Sequence, residues 1–125
     1  MNVVDSSAWL EYFAGGPNAA SFAPAIEDID SLIVPSLTIF EVFKRVLQQR
    51  DETAALRATA AMHQGTVVDL DSTLAINAAR LSQDFKLPLA DSIILATARA
   101  QSATLWTQDA DFEGMDAVEY RRKPK

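Results

Sequence analysis

The sequence has no cysteine and one histidine, His63. The first absence excludes a disulfide framework and any thiolate metal site. His63 stands alone near the end of a predicted helix and reads as a surface residue. No G-x-S-x-G surrounds Ser6, so it is not in a nucleophile elbow. No apolar run reaches membrane-spanning length, and no basic-then-apolar leader opens the chain. The expectation is a cytoplasmic protein with no membrane partner. Internal repeats, linkers and low-complexity stretches are also missing. Basic charge is scarce: eleven Lys and Arg oppose seventeen Asp and Glu, for a net charge of -6. Arg121, Arg122, Lys123 and Lys125 form a basic tail over about 121–125, and without them the net charge is -10. Such a body does not hold nucleic acid by general attraction. Phosphate chemistry on it would need a metal ion against the repulsion.

What is present is a chain of 125 residues, 49% hydrophobic, large enough for one domain with a real core. Short apolar runs predict strands at Asn2–Val4, Leu32–Val34, Thr66–Leu70 and Thr104–Thr107, with a short fifth at Val118–Tyr120. Ser6 or Ser7 is a candidate cap for a helix through Phe13, ended by Gly15-Gly16. Pro17 opens a second, short helix to about Ile29. Further helices are predicted at about Thr38 to Gln49, Glu52 to His63 and Ser72 to Phe85. The stretch Leu87–Asp91 leads into a last helix, apolar nearly all round and therefore buried. Ile39, Phe40, Val42, Phe43, Val46 and Leu47 fall on one face of the Thr38 helix. Trp9, Phe13 and Trp106 are expected in the core. Strands alternating with helices predict a three-layer α/β/α fold with a mainly parallel sheet.

Acids recur where such a sheet binds ligands, at the carboxyl ends of its strands. Asp5 follows the first strand, where a buried carboxylate is costly unless paired, hydrogen-bonded or bound to metal. Asp109 and Asp111 follow the fourth strand. Glu41 and Asp91 each lie in a predicted first helical turn. Each has a plain structural alternative. Glu41 completes a capping box with Thr38, Asp91 caps its helix or meets its dipole, and Asp109 and Asp111 form a turn. Together the acids would repel one another unless neutralised. Hard divalent cations take such oxygen ligands. Lys44 and Arg45 lie on the exposed side of the Glu41 helix, where they suit either an ordinary surface or phosphate contact.

The chain resembles the PIN-domain ribonucleases, most closely the VapC-type toxins of prokaryotic toxin–antitoxin pairs. The matching pieces are Val4-Asp5-Ser6-Ser7, Glu41 early in a long helix, Leu89-Ala90-Asp91 running into Ala96-Thr97-Ala98, and Leu105 to Phe112. They span nearly the whole chain. One departure is Ser102-Ala103, where the family often has a glycine before the fourth strand. The resemblance implies that Asp5, Glu41, Asp91 and Asp109 hold Mg²⁺ or Mn²⁺, with Asp111 as an accessory acid and Ser6 and Thr107 as polar neighbours. It implies metal-dependent cleavage of RNA by activated water, an antitoxin that blocks the site, and a toxin homodimer. Two rival readings are a catalytically inactive PIN fold used as a binding module and a receiver-type signalling domain. The receiver pattern wants a second acid after the first strand and a Lys ending a late strand. Ser6 follows Asp5, and no such Lys is present.

Overall fold

The short apolar runs form one five-stranded sheet in a computed structural model that describes residues 1–124. The strands are β1 (Asn2–Val4), β2 (Leu32–Pro35), β3 (Thr66–Val68), β4 (Thr104–Thr107) and β5 (Val118–Tyr120). Their order is β3-β2-β1-β4-β5, and every neighbouring pair is parallel. Six helices connect them: α1 (Ser6–Ala14), α2 (Ala19–Glu27), α3 (Ser36–Gln49), α4 (Glu52–Met62), α5 (Ser72–Phe85) and α6 (Leu89–Ala100). Among the described residues, no helix is long and apolar enough to cross a membrane.

Alternation along the strands divides the core into layers. Val4, Leu32 and Val34 face α1 to α4, packing with Trp9, Phe22, Val42 and Met62. Val3, Ile33 and Leu105 face the other way, onto Ile94, Leu95 and Ala98 of α6 and onto Phe112. Leu74 and Ala78 of α5 pack on the outer side of α6, against Ile93 and Ala96. The central strands read as unbroken apolar runs because both faces are covered. The result is the expected three-layer α/β/α architecture, with a sheet that is parallel throughout.

Several local expectations are corrected. Asp5, not Ser6 or Ser7, caps α1, its carboxylate accepting from the Ser6 amide. Gly15 ends α1 at φ 64°, a left-handed conformation that glycine adopts without strain. α2 starts at Ala19 rather than Pro17 and stops at Glu27, and Ile29–Ser31 forms a separate 3₁₀ turn. α3 begins at Ser36, because Pro35 ends β2 with φ −60°, already suited to helix entry. Thr38 therefore lies inside the first turn and donates to the Pro35 carbonyl at 2.7 Å. No capping box forms, and Glu41 sits in the second turn. The apolar face of α3 is narrower than its periodicity predicts. Val42 and Val46 are buried, but Phe40 and Leu47 are 61% and 45% exposed. Trp9 is buried as expected, whereas Phe13 and Trp106 are half-buried. The Trp106 indole N–H donates to Asn2 Oδ1 at 2.9 Å, and the Arg121 guanidinium lies over its ring. His63, Lys44 and Arg45 are exposed, as expected. β3 stops at Val68. Lys125, the last member of the basic tail, lies outside the described residues.

The topology makes a cleft. The chain travels from β1 outward to β3, then returns across the sheet to β4. Direction reverses between the neighbours β1 and β4, the switch point where open α/β sheets bind ligands. Asp5 follows one of these strands, and Gln108-Asp109 follows the other. A 3₁₀ turn, Ala110–Phe112, comes next and is anchored by Phe112, which is fully buried. Phe112→Ala is expected to cost about 3–5 kcal/mol, as for other buried aromatic truncations. Chemical denaturation measures this, and a loss below about 1 kcal/mol would show that the turn is not held by its aromatic anchor.

Candidate active site

The site is built outward from Asp5, only 3% exposed. Its backbone N–H donates to the Trp106 carbonyl at 2.9 Å, fixing the end of β1 against β4. Three donors converge on its carboxylate. The Ser6 amide reaches Oδ1, and the Ser7 and Thr107 hydroxyls both reach Oδ2, each at 2.8 Å. Burial pushes the Asp5 carboxyl up, the two hydroxyl bonds pull it down, and the charges of Asp109 and Glu41 push it up again; the net direction is upward.

Ser6 and Thr107 extend this core in two directions. The Ser6 hydroxyl donates to Glu41 Oε1 at 2.6 Å, tying α3 to the start of α1. Thr107, fully buried at the end of β4, accepts the Asp109 amide at 2.9 Å through the same oxygen that donates to Asp5. Asp109 in turn accepts the Asp111 amide at 2.9 Å, which shapes the 3₁₀ turn. That bond realises the turn-forming alternative for Asp109 without removing its carboxylate from the cleft. Only one of its oxygens is engaged by the bond.

Asp91 enters from α6. Pro88 occupies the cap position, and Asp91 makes no capping hydrogen bond. Its carboxylate instead faces other acids. Asp91, Asp109 and Asp111 each offer an oxygen, and these three oxygens lie within 4.8 Å of one another. The Asp91 carboxyl is pushed up to about 8, first by desolvation, then by its hydrogen bond to Asp111 and by the charges of Asp109, Asp5 and Asp111. Among the described residues no Lys or Arg forms an ion pair with these acids. Their hard oxygen donors suit a divalent cation of the Mg²⁺ or Mn²⁺ type.

All the acids singled out in the sequence thus lie at or beside this cleft, in a different grouping from the expected quartet. Asp111, expected as an accessory, stands in the tight trio with Asp91 and Asp109. Asp5 lies beneath, near enough for its charge to act on Asp91. Glu41 joins through Ser6 rather than through the trio. Ser7 was missed as a site residue. Its hydroxyl serves Asp5 and accepts the Gln108 amide at 3.3 Å. The available signal was a hydroxyl two residues after an acid that ends a buried strand.

Asp91 has a consequence for stability. In the unfolded chain an Asp loses its proton near the ordinary value of roughly 3.9. In the folded protein Asp91 keeps its proton up to about 8. Between those limits unfolding releases a proton, so this group's contribution to stability falls as pH rises. Asp5 acts in the same direction. In EDTA, the stability difference between Asp91→Asn and the parent should shift in favour of the variant from pH 5 to pH 8. Paired thermal melts at the two pH values measure it, and a pH-independent difference would contradict the crowding of these acids.

A model of the PIN domain family matches residues 3–118. No curated protein matches the chain in sequence. Among solved structures, it is similar to a chain of a toxin–antitoxin complex from Klebsiella pneumoniae, at 26% identity and a TM-score of 0.80, covering 95% of this chain and 96% of that one. It is also similar to VapC20 of Mycobacterium tuberculosis, described as a sarcin–ricin loop cleaving toxin, at 19% identity and a TM-score of 0.79, covering 97% and 99%. A third likeness is to VapBC2 of Rickettsia felis bound to a promoter DNA fragment, at 11% identity and a TM-score of 0.74, covering 97% of each chain. The family match runs from β1 to the start of β5 and takes in Asp5, Glu41, Asp91, Asp109 and Asp111: the chain belongs to the PIN domain family.

Proposed function

We propose that the chain is a metal-dependent endoribonuclease acting as the toxin of a toxin–antitoxin pair. The observation that carries this reading is the acid trio at the β1/β4 switch point, whose three oxygens lie within 4.8 Å of one another. Membership of the PIN family and the likeness to toxin–antitoxin structures support it. Asp91, Asp109 and Asp111 would hold Mg²⁺ or Mn²⁺, with Asp5 and Glu41 completing the acidic set. When bound, such an ion supplies positive charge to a phosphate and acidifies water beside it.

The chain's own residues prepare that chemistry. The hydroxyls of Ser7 and Thr107 and the Ser6 amide hold the Asp5 carboxyl fixed in orientation. The Ser6 hydroxyl holds one oxygen of Glu41 toward the same cleft. Thr107 fixes the backbone of Asp109, and Asp109 fixes that of Asp111. No side-chain nucleophile is required, and cleavage would leave 3′-hydroxyl and 5′-phosphate ends. The protein is read as cytoplasmic and homodimeric, with RNA as its substrate.

Incubation with total RNA and Mg²⁺ or Mn²⁺ should yield new ends that EDTA abolishes. Asp91→Asn should lower single-turnover cleavage by orders of magnitude and reduce the thermal shift given by Mn²⁺, while leaving the metal-free protein as stable as the parent or slightly more so. Near-parental cleavage by Asp91→Asn would return this residue to a structural role. RNA binding without cleavage in either metal would favour the inactive binding module.

The partner follows from the same charge. A guanidinium pairs with carboxylates in a bidentate way. The cognate antitoxin is expected to place an Arg or Lys among Asp5, Glu41 and Asp91, and the purified pair should cleave RNA only after the antitoxin is removed. A complex whose antitoxin binds far from these acids while cleavage continues would overturn this.

A further inference from the structure

Two surface grooves meet beside the acids. One is lined by Asp109, Tyr120, Arg122 and Lys123. The other, of about 520 Å³, is lined by Glu11, Arg45, Gln49 and Lys123. Ser7, Gln108 and Lys123 border both, so the two form one furrow. It starts at Asp109 in the acidic cluster and passes over Ser7, the hydroxyl partner of Asp5. It ends at Arg45 on α3.

The basic tail is tied to this furrow. The Arg121 amide donates to the Thr107 carbonyl at 2.9 Å, continuing the β4–β5 pairing. The Asn18 side-chain amide donates to the Arg122 carbonyl at 3.0 Å and to Gln108 Oε1 at 3.1 Å. These bonds seat Arg122 and Lys123 next to Gln108. Arg121 is otherwise engaged, paired with Glu119 at 3.2 Å, the one ion pair among the described residues. Arg45, Arg122 and Lys123 are exposed and pair with no acid among those residues. Glu11, the acid of the second groove, accepts the Asn18 amide at 2.8 Å, so one of its oxygens is already engaged.

An unpaired line of cations leading out of an acidic centre fits a polyanion that must be held against that centre's repulsion. Arg45 belongs to a body whose net charge without the tail is -10, and Arg122 and Lys123 belong to the basic tail. A charged groove with an aromatic at its side, here Tyr120, is the arrangement that accepts single strands without reading sequence. We infer that the furrow over Ser7, Gln108 and Lys123 is a track for the sugar–phosphate backbone of single-stranded RNA, with Arg45, Arg122 and Lys123 as its phosphate contacts. This rests on the RNA-cleaving function proposed above and adds how the strand is held beside the reacting bond.

The test measures binding apart from cleavage. A fluorescent single-stranded oligouridylate is titrated with the full chain in EDTA at increasing KCl, and anisotropy gives the affinity. Arg45→Ala and Lys123→Ala should each weaken binding several-fold and reduce the slope of log affinity against log salt by about 0.7, the value for one lost phosphate contact on a single strand. Arg45→Lys should retain most of the affinity. Arg80→Ala, which removes the same charge from α5, should change neither affinity nor slope. Parental affinity in the furrow variants, equal weakening by Arg80→Ala, or no binding by the parent would each overturn the track. Parallel assays in Mn²⁺ separate the two ideas. Cleavage by the parent with unaltered binding in the variants leaves the ribonuclease standing without the track. Weakened binding in the variants with no cleavage by the parent leaves the track without the ribonuclease.

Discussion

The structure turns on one buried carboxylate. Asp5 ends β1, caps α1 and sits against β4, so three elements meet at a charge that water barely reaches. An isolated carboxylate there would be costly, and each donor left unmade would cost about 1–3 kcal/mol or more. The backbone amide of Ser6 and the hydroxyls of Ser7 and Thr107 offset part of that cost, and burial still leaves the Asp5 carboxyl raised. The same bonds register β1 against β4 and set the direction in which α1 leaves the sheet. Thr107 then carries the constraint onward, because its oxygen also orients Asp109. The stability of the central sheet and the placement of the acids therefore depend on the same atoms.

Much of this was legible in the sequence, for a physical reason. Buried parallel strands are short apolar runs with no polar alternation, and an acid at the end of one stands out because nothing else there is charged. Asp5 after Val3-Val4 and Asp109 after Leu105-Trp106-Thr107 are of this kind. Helix boundaries were less legible. Thr38 and Glu41 have the spacing of a capping box, yet Pro35 lets the helix begin at once, and the Thr38 hydroxyl turns to the Pro35 carbonyl. Local rules propose a cap, and the backbone geometry of one proline decides otherwise. The width of the α3 face was also misread. Periodicity places Phe40 and Leu47 with Val42 and Val46, but the sheet and α4 cover only part of that arc.

The grouping of the acids was the least legible feature. Spacing along the chain assigns Asp111 no special place, since an acid two residues after Asp109 is what any turn carries. Its approach to Asp91 depends on the 3₁₀ turn and on Phe112 holding that turn down against α6. This is a tertiary fact about two segments separated by a strand. Ser7 was hidden differently. It stands within the matching motif, but a serine in a first helical turn is unremarkable until the buried carboxylate that needs its hydroxyl is located.

Asp91 shows how far the fold departs from local optimum. An acid in the first turn of a helix is normally stabilised as an anion by the helix dipole. Asp91 occupies that position, yet its carboxyl is pushed up to about 8. Burial, the hydrogen bond to Asp111 and the charges of Asp109, Asp5 and Asp111 push it there. A purely structural first-turn acid would be placed where its neighbours did not oppose it. Conflict between a local preference and its surroundings concentrates at functional sites, where the folded state tolerates a loss of stability that a ligand later relieves. Here the unrelieved element is negative charge. A divalent ion or a partner's guanidinium, as proposed above, would relieve it in the same way, by supplying positive charge in the cleft. Under the function proposed above, an ion and an inhibiting protein would then be alternatives for one site.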